Sequence, residues 1–191
     1  MAEKSLILLT TSRRPTKDIR TFCKDLSYTL PNVLRVNRGK LSLEGVAEKA
    51  LEFNVEKAVI VDRWKDGLGK IQLFRVGERG LEGISPLIYL RAVKLRRDFG
   101  EAMPRGRRIK SVAMIHFNKN FLEIERFENA LSRFFGIRLI SIEEASSGGY
   151  DAVMQILRDT LGRPIIMFRL IPELIEVGPR IVISHLVWEL T

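Results

Sequence analysis

Arg13 and Arg14 follow three hydroxyl-bearing residues, Thr10, Thr11 and Ser12, in the stretch LTTSRRPTKDIR. An arginine presents its N–H donors in a planar fork that matches phosphate or carboxylate oxygens, and it stays charged at physiological pH. Two arginines beside Ser12, where an apolar run gives way to a helical pattern, could hold an anion at a point where backbone N–H groups also face outward. Without an anion they oppose the helix dipole, at a cost of a few tenths to about 1 kcal/mol. Residues that work against their local structure point to function. The stretch RVNRGK adds Arg35, Asn37, Arg38 and Lys40 around a glycine turn. Asn37 there either reads a base edge or shapes the turn. In EVGPR, Arg180 directly follows the Gly178-Pro179 bend. A turn accounts for the glycine and proline but not for the arginine.

The remaining cations reinforce this. Residues 91–110 carry eight Lys/Arg against two Asp/Glu, with Arg96, Arg97, Arg105, Arg107 and Arg108 among them. The whole chain has 32 Lys+Arg and 23 Asp+Glu, a formal net charge of +9. A clustered surplus of this size suits a polyanion, nucleic acid before an anionic membrane surface. Catalytic patterns are weak. His116 and His185 have no metal-ligand spacing and no carboxylate at a familiar interval, so each is read as structural or surface. Neither a P-loop nor a dinucleotide fingerprint is present. SSGGY at 146–150 could offer N–H groups to a phosphate ahead of a helix, or be a flexible loop, and Glu143 with Glu144 reads as a solvated turn. The lone Cys23 excludes an intramolecular disulfide and a cysteine-built metal site, and suits a reducing cytoplasm. Charges interrupt every apolar run before membrane-span length, and the N-terminus has no signal-peptide pattern.

These residues need a scaffold, and the pattern is α/β. SLILLTT (5–11), NVLRV and KAVIVD (57–62) read as strands. Between them a helix carries Pro15 in its first turn and the face Ile19, Phe22, Cys23, Leu26 and Leu30, ending at Pro31. A second helix is capped by Ser42 and turns Leu43, Val46, Ala47, Ala50 and Leu51 inward. GKIQLFRVG and ISPLIYLRAVKL form an antiparallel pair through GERG. The order then recurs. SVAMIHF is a strand, Asn120 and Glu123 suggest a capping box, and Ile124, Phe127, Leu131 and Phe134 share a helix face. IRLISI is a strand, residues 151–161 form a helix with Val153, Ile156, Leu157 and Leu161 inward, and PIIMFRL and IVISHLVWEL are strands.

The two halves align at an offset of about 105 residues, Phe22 on Phe127, Leu26 on Leu131 and Leu30 on Phe135. The expected organisation is a single domain over 1–191, made of an N-terminal half (1–95) and a C-terminal half (108–191) joined by a basic segment (96–107). Each half is a layered α/β unit.

The ordered set TTSRRPT, LPNVLRVNRGK and EVGPR resembles the Brix-domain family of ribosome-biogenesis proteins, over about residues 5 to 190. TTSRRPT followed by RVNRG looks most like the small-subunit processome branch, and the compact chain like an archaeal-type version. The resemblance implies two halves, each related to the anticodon-binding domain of class II aminoacyl-tRNA synthetases. It also implies binding of precursor ribosomal RNA in rRNA processing and subunit assembly, alongside other ribosome-assembly proteins. It implies no catalysis, cofactor, metal or small-molecule substrate. The location would be cytoplasmic, or nucleolar in a eukaryote. By motif match Arg13, Arg14, Asn37, Arg38 and Arg180 inherit the RNA-binding expectation. Trp64 either stacks on an unpaired base or packs half-buried. The rival readings are a tRNA or anticodon-type module, a phosphoryl-transfer or RNA-processing enzyme, and a protein-interaction scaffold within a ribonucleoprotein.

Overall fold

Ile7–Thr11 is buried along its whole length, so this apolar run forms an interior strand, β1. It pairs in parallel with β2 (Val33–Arg35) on one side and β3 (Lys57–Arg63) on the other. The computed structural model describes residues 6–63, 69–100, 108–116 and 121–189. Between β1 and β2 runs α1 (Lys17–Thr29), capped by Thr16, whose side chain accepts from the Ile19 N–H at 3.2 Å. Pro15 therefore lies outside the helix rather than in its first turn, because the threonine hydroxyl supplies the cap. The expected face is buried, with Ile19, Phe22, Cys23 and Leu26 turned inward. Ser42 caps α2 (Leu43–Glu52) as expected. Val46, Ala47 and Ala50 are buried, but Leu43 and Leu51 lie exposed at the edges of that face. The hairpin β4 (Gly69–Gly77) and β5 (Gly80–Lys94) completes the first half.

The second half is β6 (Val112–Ile115), α3 (Leu122–Phe135), β7 (Leu139–Ile140), α4 (Ile142–Ser146), β8 (Ala152–Arg158), β9 (Pro164–Leu170) and β10 (Arg180–Val187). The helix expected over 151–161 is instead β8 and its turn. Ala152 to Ile156 are all buried because β8 lies between β6 and β9 with both faces covered. A strand buried on both faces is continuously apolar, and its residues contain a helix-like subset by accident. Leu161, expected inward, is exposed in the β8–β9 turn. SSGG consequently begins at the last residue of α4 and leads into a strand, so it offers no helix N-terminus to a phosphate. The start of α3 is at Phe121 and Leu122; Asn120 of the expected capping box lies outside the described residues, as do Trp64, Arg105 and Arg107.

Among the described residues the strands form one sheet in the order β2-β1-β3-β4-β5-β10-β9-β8-β6-β7. From the edge inward the first five positions are the second, first, third, fourth and fifth strands of the N-terminal half. The last five repeat that arrangement in mirror order, with β5 and β10 meeting antiparallel at the centre. Helices α1 and α3 share one face and one core: Phe22, Phe127 and Leu131 pack with Leu9, Val59, Ile88 and Ile183 in a single buried cluster. On the other face α2 and α4 each cover a smaller cluster, around Leu8 and Ile60 and around Ala113 and Val153 respectively. The alternation of Leu8 and Leu9 between clusters is the two-residue period of a strand.

Side chains lock the halves together at helix ends. Lys57 donates to the carbonyls of Arg133 (3.2 Å) and Phe134 (2.9 Å) at the C-terminus of α3, and Asn32 donates to Phe135 O at 2.7 Å. Thr29, the last residue of α1, donates to Gly178 O at 2.9 Å. A lysine at a helix C-terminus satisfies orphan carbonyls and complements the dipole. Lys57→Ala is expected to cost about 1 kcal/mol, read as a lowered midpoint in denaturant unfolding. An unchanged midpoint would mean the contact is solvated and idle.

Candidate nucleic-acid interface

Beyond Thr11 the Ser12 N–H still donates to Val61 O at 3.0 Å, and then the chain leaves the sheet. Arg13 and Arg14 are exposed there. The connection β1–α1–β2 crosses one face and β2–α2–β3 the other, so the carboxyl ends of β1 and β3 flank a topological switch point. That is the place where open α/β sheets bind ligands. Arg38 belongs to this corner but is not the exposed residue its turn suggested. It is 6% exposed, its Nε donates to Leu41 O at 2.7 Å, and its Nη1 is buried without a partner among the described residues. Burial, and then the charge of Arg13, lowers its pKa from the usual arginine value, while Asp62 opposes the shift. Leaving a buried charged donor unpaired costs about 1–3 kcal/mol or more. The Ser12 hydroxyl oxygen is likewise buried and unpartnered. Asn37 and Lys40 are exposed.

The other arginines divide into paired and groove-lining. Arg180 forms a two-pronged pair with Glu176, through Nε to Oε1 at 2.8 Å and through Nη2 to Oε2, and lies 5.6 Å from the Phe99 ring centre. Glu176 raises its pKa. Strand directions place Arg180 at the same end of the sheet as Arg13. Four strand spacings nevertheless separate β1 from β10, roughly 19 Å. The expected surface of four uncompensated arginines, 13, 14, 38 and 180, thus resolves into two exposed residues, one buried and one neutralised. Gly178 is explained by packing: a Cβ there would meet the Phe99 ring at 2.6 Å. Arg97 is likewise engaged, with Asp18 at 2.8 Å and Asp98 at 3.7 Å.

A basic concavity lies along α1. A groove of about 1030 Å³ is lined by Lys24 and Tyr28 of α1, Arg35 at the end of β2, Arg96 after β5, and Arg108 and Lys110 before β6. Lys24 and Tyr28 are one helical turn apart on the outer side of α1, which puts them on the same stripe. Asp25, buried on the next position, accepts the Arg96 N–H at 2.9 Å and so ties the end of β5 to the helix. Burial pushes the Asp25 carboxyl up; that N–H and the charges of Arg96, Arg97 and Lys24 partly offset it. Asp151 accepts the N–H groups of Lys110 and Ser111 at 2.8 and 3.0 Å and fixes the other wall. Tyr28 is 55% exposed, with Lys24 Nζ 5.7 Å and the Arg96 guanidinium 5.6 Å from its ring centre. A groove lined by five cations and one exposed aromatic ring can hold phosphates and stack a base. Lys24, Tyr28 and Lys110 escaped the sequence reading. The available signal was an aromatic on the polar side of an amphipathic helix with a lysine four residues before it.

The histidines are placed differently. His185 stacks on Tyr89, centroids 4.3 Å apart. His116 does have a carboxylate partner, twelve residues away: its Nδ1 is 2.6 Å from Oε2 of Glu128. Glu128 is 1% exposed, and burial raises its pKa while the His116 bond opposes the rise. Among the described residues no group of three or more His, Cys, Asp or Glu gathers that could hold a metal. Burial pushes the Cys23 thiol up to about 12, with Arg35 opposing. Native protein at pH 8 is therefore expected to resist a thiol-modifying disulfide reagent and to react at once in denaturant; rapid native labelling would contradict this burial.

No protein-family model matches the chain. A 95-residue stretch is 34% identical to a probable Brix domain-containing ribosomal biogenesis protein of Pyrococcus horikoshii, covering 50% of this chain and 42% of the relative. The protein of the same name in Aeropyrum pernix is 40% identical over 68 residues, 36% of this chain and 38% of the relative. The match thus spans less than half the length of these curated relatives. The crystal structure of a probable ribosomal biogenesis protein from Aeropyrum pernix K1 superposes with a TM-score of 0.77 at 27% identity, covering 96% of this chain and 99% of that one. Among the described residues no helix is long and apolar enough to cross a membrane. The motif resemblance, the sequence matches and the fold point the same way: the chain is similar to the archaeal Brix domain-containing ribosomal biogenesis proteins.

Proposed function

We propose that this protein binds precursor ribosomal RNA, without catalysis, during subunit assembly in the cytoplasm. The carrying observation is the groove lined by Lys24, Arg35, Arg96, Arg108 and Lys110, with the exposed Tyr28 on its wall. The phosphate backbone would run along these cations and an unpaired base would stack on the tyrosine. Arg14, Asn37 and Lys40, exposed in the turns after β1 and β2, would add contacts to the same RNA. Arg97 and Arg180 support the site from their ion pairs rather than gripping phosphate. The names of the relatives favour ribosomal RNA over tRNA, and assembly proteins as further partners.

The matching order of strands and helices in the two halves supports an origin by duplication, each half being a unit of the anticodon-binding type. On this reading 1–95 and 108–191 are the repeats and 96–107 the joint.

The test is RNA affinity of the full chain across salt, by fluorescence anisotropy with a single-stranded rRNA fragment. Five displaced counterions predict a log–log slope of about 3 to 4. Affinity that stays flat with salt would remove the electrostatic reading. Crosslinked RNA enriched in tRNA instead of precursor rRNA would move the assignment to the tRNA module.

A further inference from the structure

We infer that the corner formed by Ser12, Arg13 and Arg38 is a discrete phosphate-oxyanion site, separate from the groove. Four observations converge there. The carboxyl ends of β1 and β3 flank a switch point, the position at which open α/β sheets take ligands. Arg38 is 94% buried by its 6% exposure, yet its Nη1 has no partner among the described residues. Ser12 lies two residues past Thr10, whose hydroxyl donates to Val36 O two residues before Arg38, and its hydroxyl oxygen is also buried and unpartnered. Finally α2, a ten-residue helix, begins at Ser42 beside this loop, and its first turn lies close enough for Arg13 to act on Glu44.

A folded protein does not ordinarily leave a buried guanidinium N–H unsatisfied. The anionic groups nearby do not meet it. Asp62 accepts the Arg63 N–H at 2.7 Å and faces Lys70 at 3.9 Å, and Glu44 is engaged by Ser42 and its own backbone. Arg38 and Arg13, both positive, are close enough to lower the Arg38 pKa. An oxyanion between them removes that repulsion and gives the orphan donors an acceptor. Both orphan atoms are out of contact with solvent, so the anion reaches them only when the corner opens, and exposed Arg13 supplies the outer fork. The tetrahedral, multiply charged oxyanion of a phosphate suits two arginine forks and a hydroxyl better than a single carboxylate does. The natural occupant, a phosphate of the bound RNA, rests on the function proposed above; the anion site itself does not.

The probe is inorganic phosphate, read as the thermal midpoint of the full chain against chloride at equal ionic strength. Phosphate is expected to raise the midpoint of the wild type, and Arg13→Ala, an exposed change, to weaken phosphate about tenfold or more. Arg38→Met should abolish the effect if it folds, and Ser12→Ala reduces it without touching either charge. No phosphate-specific rise in the wild type, or a rise that Arg13→Ala and Ser12→Ala leave intact, overturns the site even when RNA still binds through the groove. Phosphate binding with no RNA binding would retain the site and discard the RNA reading. Short RNAs carrying a 5′-phosphate or a 5′-hydroxyl separate the two sources: a 5′-phosphate preference lost in Arg13→Ala identifies a terminal phosphate, and equal binding weakened by Arg13→Ala an internal one. Equal binding that Arg13→Ala leaves unchanged counts against any RNA phosphate in the corner.

Discussion

Replacing Lys24, Arg35 and Arg108 together by glutamine is expected to lower RNA affinity about a hundredfold, at about 1 kcal/mol for each lost phosphate contact. All three line the groove and are exposed. Glutamine stays polar and hydrogen-bonding while removing the charge, and the positions are exposed, so the loss measures electrostatics more than packing. The salt slope should fall by about 2 for single-stranded RNA. Stability should barely move, since exposed substitutions usually shift it by about 0.5 kcal/mol or less. Matching changes at Arg97 and Arg180 would not give this signature. Each already has an acidic partner, and removing it leaves Asp18 or Glu176 unpaired. If the groove triple variant binds RNA with wild-type affinity and slope, the groove is not the interface.

Phe127→Ala is expected to cost about 3–5 kcal/mol, the range for emptying a buried aromatic site. Phe127 is 0% exposed on α3, and the aligned Phe22 on α1 is 3% exposed. Both belong to the same buried cluster, which runs under both halves of the sheet. Phe22→Ala should therefore cost a similar amount, and each variant should shift one cooperative transition for the whole chain. Domains of this kind have about 5–15 kcal/mol to lose, so either change could leave a marginal protein. Chemical denaturation followed by far-UV circular dichroism and by tryptophan fluorescence checks this. Two separated transitions, with Phe127→Ala affecting one of them, would show that the halves fold independently despite their shared core.

Much of the scaffold was readable because its signals are local. Buried parallel strands such as β1 and β3 are short apolar runs, and α1 and α3 carry a 3.6-residue stripe, so a window of ten residues contains the answer. Phe22 of α1 and Phe127 of α3 each lie on such a stripe, and both are buried in the one shared cluster. Failures came where local signals are ambiguous. Residues 152–158 are apolar on both faces, and a continuous apolar run suits a buried strand or helix equally until its neighbours are known. The five-residue α4 was too short to leave a stripe. Its capping box, Ser141 with Glu144, stood in the sequence where an acidic turn was read.

The site divides along the same line. The abundance of cations, their clustering at 91–110 and the arginines beside Ser12 and Gly39 are properties of the chain itself, and they alone argue for a polyanionic partner. Which cations remain available was decided only by the fold. Arg97 meets Asp18 across 79 residues of sequence, and the His116–Glu128 pair joins the end of a strand to a helix. Arg38, in a turn that reads as exposed, is drawn inward to the Leu41 carbonyl. The groove itself joins α1, β2 and two connecting segments that periodicity cannot place together. The physical reason is range. Helix and strand periods report neighbours within one element, whereas desolvation and ion pairing depend on distances between elements, which exist only once the sheet has formed.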